Sequence, residues 1–178
     1  MESLATAAGV NKTIVYRVFP NRSAVLVALF DREVAALGER LRVAAAEADG
    51  FEPWLRAAVH AWFDALASGG RLLDRMLDTG PGDPELDARR AAWSLAATRE
   101  WGEGVASATG APLPDAMDTV AIVLAGMRGA ISRWLDDRRP RRVVEERYLQ
   151  VALAALAHLG PAAAPSPSDE GRTRTPRR

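Results

Sequence analysis

Apolar residues recur at helical spacing over most of this chain, and no run alternates with the period of two expected of a half-buried strand. Leu4, Ala5 and Ala8 give a short first helix one apolar edge. Gly9 can then take the left-handed conformation that turns the chain, and Val10 fills the angle. Asn11 is a good N-cap, and residues 12–18 run without a breaker up to Phe19-Pro20. In this second helix Val15 and Val18 or Phe19 are expected to turn back onto the first, leaving Lys12, Thr13, Tyr16 and Arg17 outward. Asn21 to Ser23 then caps a long helix, about 24–48, striped by Leu26, Phe30, Val34, Leu37 and Leu41 and ended by Asp49-Gly50. Residues 53–68 place Trp54, Leu55, Ala58, Val59, Trp62, Phe63 and Leu66 on one broad face, with Arg56, His60 and Asp64 opposite. Gly69-Gly70 breaks the pattern, 71–77 makes a short helix, and residues 79–84 read as a loop. A further helix from Pro84 or Glu85 to about 109 repeats Leu86, Trp93, Ala97, Trp101 and Val105, and residues 110–114 stop it.

Two more helices close the pattern. Between Asp115 and Asp137, Met117, Val120, Leu124, Met127, Ile131 and Trp134 step by 3, 4, 3, 4 and 3, the seam of helices packed side by side. Ala121, Ala125, Gly126, Gly129 and Ala130 add small residues that permit close approach. After a charged turn containing Pro140, residues 143–159 carry Val144, Tyr148, Val151, Ala155 and Leu159 in one stripe, widened by Leu149, Leu153 and Leu156. So wide an apolar face predicts packing on the chain's own body and on a second copy. The expectation is a homodimer through a four-helix bundle, with Leu124, Met127, Ile131, Trp134, Tyr148, Val151, Ala155 and Leu159 at the interface. The Pro-, Ser- and Arg-rich segment 161–178 is expected to be disordered.

Charge changes this picture only locally. Twenty-three basic and 23 acidic residues give a net charge of zero, but within residues 1–22 Lys12, Arg17 and Arg22 stand against Glu2 alone. The head is basic and the acids lie in the body. With no cysteine among the 178 residues, disulfides, thiolate catalysis and cysteine-bound zinc are excluded. No secretory signal opens the chain, and no apolar run reaches the roughly 20 residues of a membrane span, so a cytoplasmic protein with no membrane partner is expected.

The fixed residues of the head, Leu4-Ala5, Ala8-Gly9-Val10, Val15-Tyr16, Phe19 and Arg22, closely resemble the DNA-binding helix-turn-helix of the tetracycline-repressor (TetR) family of transcription regulators. The resemblance implies an all-α protein: a helix-turn-helix head with its connecting helix over 1–48, and a helical effector-binding and dimerisation body over 49–160. Family members carry a further helix ahead of this motif, so the head is expected to lack the first helix of that domain. The implied function is a ligand-responsive repressor that binds a near-palindromic double-stranded DNA operator as a homodimer. Carried over position by position, the DNA-facing set is Asn11, Lys12, Thr13, Ile14, Tyr16, Arg17 and Arg22. The bland alternative for these residues is a solvated helix face.

In the same family the middle helices hold the effector. Here they carry Trp54, Trp62, Phe63, Met76, Trp93 and Trp101, whose flat apolar area suits an aromatic or lipophilic small molecule, with Arg90, Ser94 or Thr98 as polar contacts. Ordinary core is the competing account of these aromatics. His60 with Asp64 at i+4 reads as a solvated pair rather than a dyad or metal site, and no catalytic fingerprint occurs, so neither enzyme activity nor a cofactor is expected. Two rivals stay open: a helical ligand-binding or dimerisation protein without DNA binding, and an all-α enzyme using a tryptophan-lined cavity.

Overall fold

A computed structural model describes residues 1–69, 71–77 and 82–159, and all regular structure among them is helical. The helices are α1 (Glu2–Ala8), α2 (Lys12–Val18), α3 (Arg22–Ala46), α4 (Phe51–Gly69), α5 (Arg71–Leu77), α6 (Pro84–Thr109), α7 (Leu113–Leu135) and α8 (Arg141–Ala157). Several begin about two residues ahead of the apolar pattern. Pro112 and Pro140 sit at the N-caps of α7 and α8, so the first turn of each is helical before any side chain reaches the core. Gly70, part of the expected 79–84 loop, and the expected disordered tail lie outside the described residues.

The long helices close a ring. α3 packs on α4, α4 on α8, α8 on α7, α7 on α6, and α6 back on α3, while α5 lies against α3 and α4. Inside the ring Leu37, Leu55, Phe63, Leu66, Val105, Val120, Tyr148 and Leu156 form one continuous core. A smaller cluster of Phe30, Met76 and Leu86 joins the first half of α3 to α5 and the start of α6. Burial pushes the Tyr148 phenol well above its ordinary pKa, and its hydroxyl donates to the Val123 carbonyl at 2.8 Å, tying α8 to α7. No helix among the described residues is long and apolar enough to cross a membrane.

The ring consumes most of the seam expected at a dimer interface. Met127, Ile131 and Tyr148 are buried in the protomer's own core, and Leu124 turns toward its interior. Trp134 stacks on Phe63 with ring centroids 5.5 Å apart, and Leu159 lies at the core margin. Of the eight, Val151 alone is fully open, with Ala155 half-buried beside it. The reason is topological: α7 is flanked by α6 and α8 within one chain, so its regular apolar stripe is already covered.

Two glycines on α6 show how closely this ring is fitted. A Cβ on Gly102 would fall 2.6 Å from Met117 Cγ and 3.2 Å from Met117 Cα, whereas one on Gly104 would meet nothing within 4 Å. Gly102→Val should therefore destabilise the protein by about 1–3 kcal/mol through overpacking. Gly104→Ala should stabilise it by about 0.5–1 kcal/mol through helix propensity. Denaturant titration of the two variants checks the opposite signs.

Candidate functional site

The ring does not close completely. Between α3, α4, α5, α6 and α7 it leaves a cavity of about 900 Å³, at the upper end of the roughly 300–1,000 Å³ typical of small-molecule sites. Trp54 and Trp62 come from α4, Trp93 and Trp101 from α6, and all four rings line it. Trp54 and Trp101 lie 5.1 Å apart at 57°, and Trp62 and Trp93 6.3 Å apart at 45°, so the rings are inclined rather than stacked. Ala58, Ala97, Gly104 and Ala121, interleaved with them, are too small to fill the space between. The Trp62 indole N–H is fully buried with no acceptor among the described residues, so the ring offers the cavity carbon rather than its donor.

Of the residues singled out from sequence, Trp54, Trp62, Arg90, Trp93, Ser94, Thr98 and Trp101 line this cavity. Phe63 and Met76 do not. Phe63 has no exposed surface and packs on Trp134, and Met76 belongs to the cluster around Phe30. Phe63 follows Trp62 by one position, which rotates it about 100° around the helix and away from the void. Arg90, 9 % exposed, donates to the Met76 carbonyl at 3.3 Å and to Asp87. Leu124, Met127 and Ile131, expected between protomers, also line the cavity. Helix α3 contributes Val34, Leu37, Gly38 and Leu41, which sequence reasoning had not connected to any ligand. Their signal was the same stripe that marks them as core.

The start of α6 is bound to α3. Asp83 caps α6 by accepting from the Glu85 and Leu86 amides at 3.1 and 3.2 Å, and also accepts from the Ser23 hydroxyl in the first turn of α3. The Ser23 hydrogen bond and these amides hold its carboxyl below the ordinary carboxylate value, against a smaller opposing effect of burial. Arg89 pairs with Asp31 at 2.6 Å, and Phe30 meets Trp93 edge-on at 6.0 Å. A cavity-wall residue thus touches the helix that leads directly to α2.

Just ahead of this same end of α3, the two short helices pack on each other. Gly9 turns at φ 65°, its amide bonding to Thr6, and Val10 bonds to Ala5. Asn11 caps α2 by accepting from the Thr13 amide at 2.9 Å, and Asn21 caps α3 by accepting from Ala24 at 2.7 Å. Val15 is buried, and of the two alternatives expected beside it Phe19 is half-buried while Val18 is 60 % exposed. Asn11, Lys12, Thr13, Ile14, Tyr16, Arg17 and Arg22 are all exposed. Lys12 bonds to Glu2, which raises the Lys12 pKa and lowers that of Glu2, and lies 5.8 Å from the Tyr16 ring centre.

On the outer side of α7 and α8 runs a groove of about 470 Å³, floored by Gly126, Gly129 and Ala130 and edged by Ile122, Val143, Val151 and Ala155. Ile122 is 71 % and Val151 67 % exposed. Elsewhere His60 is not simply solvated: it meets Asp64 at 3.3 Å and Glu145 at 2.7 Å, while Arg141 reaches Asp64 at 2.6 Å and Glu145 at 3.0 Å. This cluster clamps α4 to α8. Burial lowers the Arg141 pKa, but its two carboxylate partners outweigh that and leave it raised.

No family model and no curated protein matches the chain.

If the void is a binding site, filling it should block uptake without unfolding the ring. Ala97→Phe is expected to weaken binding of the neutral fluorescent probe N-phenyl-1-naphthylamine by about tenfold or more while leaving the melting temperature within a few degrees of wild type. Probe titration and thermal unfolding on the same samples read both.

Proposed function

We propose that the chain is a TetR-like, DNA-binding transcription regulator, a homodimeric repressor released from its operator by a small lipophilic molecule. The observation that carries the reading is the head: a glycine-turned, asparagine-capped α2 whose exposed side presents Lys12, Thr13, Tyr16 and Arg17 in the pattern of a recognition helix. On this reading Lys12, Thr13 and Arg17 approach base edges or phosphates, and Tyr16 and Arg22 hold phosphates. A single seven-residue helix makes too few contacts for tight specific binding, so two copies would engage two half-sites of a near-palindrome. The α7–α8 groove, with Ile122, Val143 and Val151 open to solvent, suits the second copy. Ligand in the cavity would move α6, and the Asp83–Ser23, Arg89–Asp31 and Trp93–Phe30 contacts would carry that motion along α3 to the heads.

A second reading has its own support. Leu4, Val10, Ile14 and Val18 leave an apolar side of the head uncovered, which favours a ligand-binding or dimerisation protein that does not bind DNA.

Titration of the chain against its own upstream DNA over a salt series, with unrelated DNA as competitor, separates the two. The regulator reading expects specific binding whose log affinity falls with log salt, with Arg17→Ala flattening the slope by about one per protomer. A folded dimer that prefers its own upstream DNA no more than the competitor sinks it. For the assembly, Val151→Glu should shift the chain toward its 19.1 kDa protomer mass in sedimentation with little loss of protomer stability, because Val151 contacts little within the chain. A dimer of undiminished affinity would place the interface elsewhere.

A further inference from the structure

The charged residues around the cavity are unevenly satisfied. Arg42 pairs with Glu39 at 2.6 Å, Arg90 donates to Asp87 and the Met76 carbonyl, and Arg128 and Asp74 are also engaged. Glu100 differs: it lines the cavity, is exposed, and makes no hydrogen bond or ion pair among the described residues. Its place on α6 follows from the helical repeat. Trp93, Ala97, Glu100, Trp101 and Gly104 stand at i, i+4, i+7, i+8 and i+11, one cavity-lining stripe that includes a carboxylate.

We infer that the cavity takes a lipophilic organic cation, held against the indole faces with Glu100 as its counter-charge. An indole face carries the negative side of its quadrupole and attracts a cation within about 6 Å, more strongly where water is excluded. Four such rings around one void, with all three lining arginines already engaged with other groups, disfavour an anion and only tolerate a neutral molecule. Small hydrated ions are excluded as well, because the apolar wall cannot replace their water. What fits is a positive charge already wrapped in hydrocarbon, as in a quaternary ammonium or phosphonium, and a volume of about 900 Å³ admits one of drug size. The inference rests on reading the cavity as the effector site, and it specifies the effector's charge.

Three aryl probes of different charge decide it: tetraphenylphosphonium and tetraphenylborate, nearly equal in size, and the smaller neutral triphenylphosphine oxide, titrated into the full chain by calorimetry and tryptophan emission without DNA. The cation is expected to bind about tenfold tighter than the oxide, with the borate weakest. Glu100→Gln should remove most of that preference and leave affinity for the oxide unchanged. Since the Glu100 side chain is exposed and makes no hydrogen bond or ion pair among the described residues, the melting temperature of this variant should not move. Glu103→Gln, on the same helix but outside the cavity and paired with Arg99 at 3.0 Å, should leave the preference intact. Borate binding as tightly as the cation, a preference that survives Glu100→Gln, an equal effect of Glu103→Gln, or no binding of any probe overturns the inference. The regulator reading is judged by the DNA titration alone, so the two can fail separately.

Discussion

The structure depends on α6 being held at both ends. At its start, Asp83 caps the helix and accepts from Ser23, Arg89 pairs with Asp31, and Leu86 is buried with Phe30. At its far end Gly102 lets the backbone of α6 come down onto Met117 of α7. Between these anchors the helix carries Trp93 and Trp101 toward α4, and there it cannot approach its neighbours further. A void in a protein interior normally shrinks by relaxation of its walls, because each lost contact costs dispersion energy. Here the wall is pinned on either side, so the space between the inclined indoles persists. The cavity follows from two close contacts as much as from the large residues that line it.

That arrangement also decides what the surrounding polar groups can do. Arg90 would be costly to bury alone, yet it lies within reach of Asp87 and a carbonyl that α5 leaves free at its C-terminal turn. Its charge is spent in joining α5 to α6. Glu100, ten residues on, has no such partner among the described residues and lies exposed on the cavity lining. The His60, Asp64, Glu145 and Arg141 cluster shows the same economy on the opposite side of the ring, where Arg141 also lies over Phe63 and Trp134 at 5.9 and 5.8 Å. Stacking and ion pairing by one guanidinium fix the return of α8 onto α4.

The head and the body differ in what holds them. Five long helices share one core, but α1 and α2 rest mainly on each other, on Ala5 and Val15, and on caps made by Asn11 and Asn21. Seven-residue helices have little stability of their own. Their orientation is set where α3 begins, one turn from the Ser23 contact with Asp83. Whatever shifts the start of α6 therefore acts close to the junction between head and body.

Sequence alone determined the helices, because each is written in local terms: an apolar repeat, a cap, a breaker. The Gly9 turn, the Asn11 and Asn21 caps, the stop at Gly110 and the absence of strands among the described residues all follow from near neighbours. Six of the residues that line the cavity with Arg90 were also legible, since Trp54, Trp62, Trp93, Ser94, Thr98 and Trp101 fall on faces that helical periodicity identifies. Which side of an apolar stripe meets which neighbour was not. The strongest seam, on α7, looked like a meeting place of two chains and turned out to face α6, α8 and the cavity, while the open face carries the less regular Ile122, Gly126 and Gly129. Phe63 and Met76 were separated from the tryptophans, and Glu100 joined to them, only by the tertiary structure. Periodicity fixes a residue's angle about its own helix, but the ring's closure fixes what lies in that direction, and closure depends on contacts such as Gly102 with Met117 between residues distant in sequence.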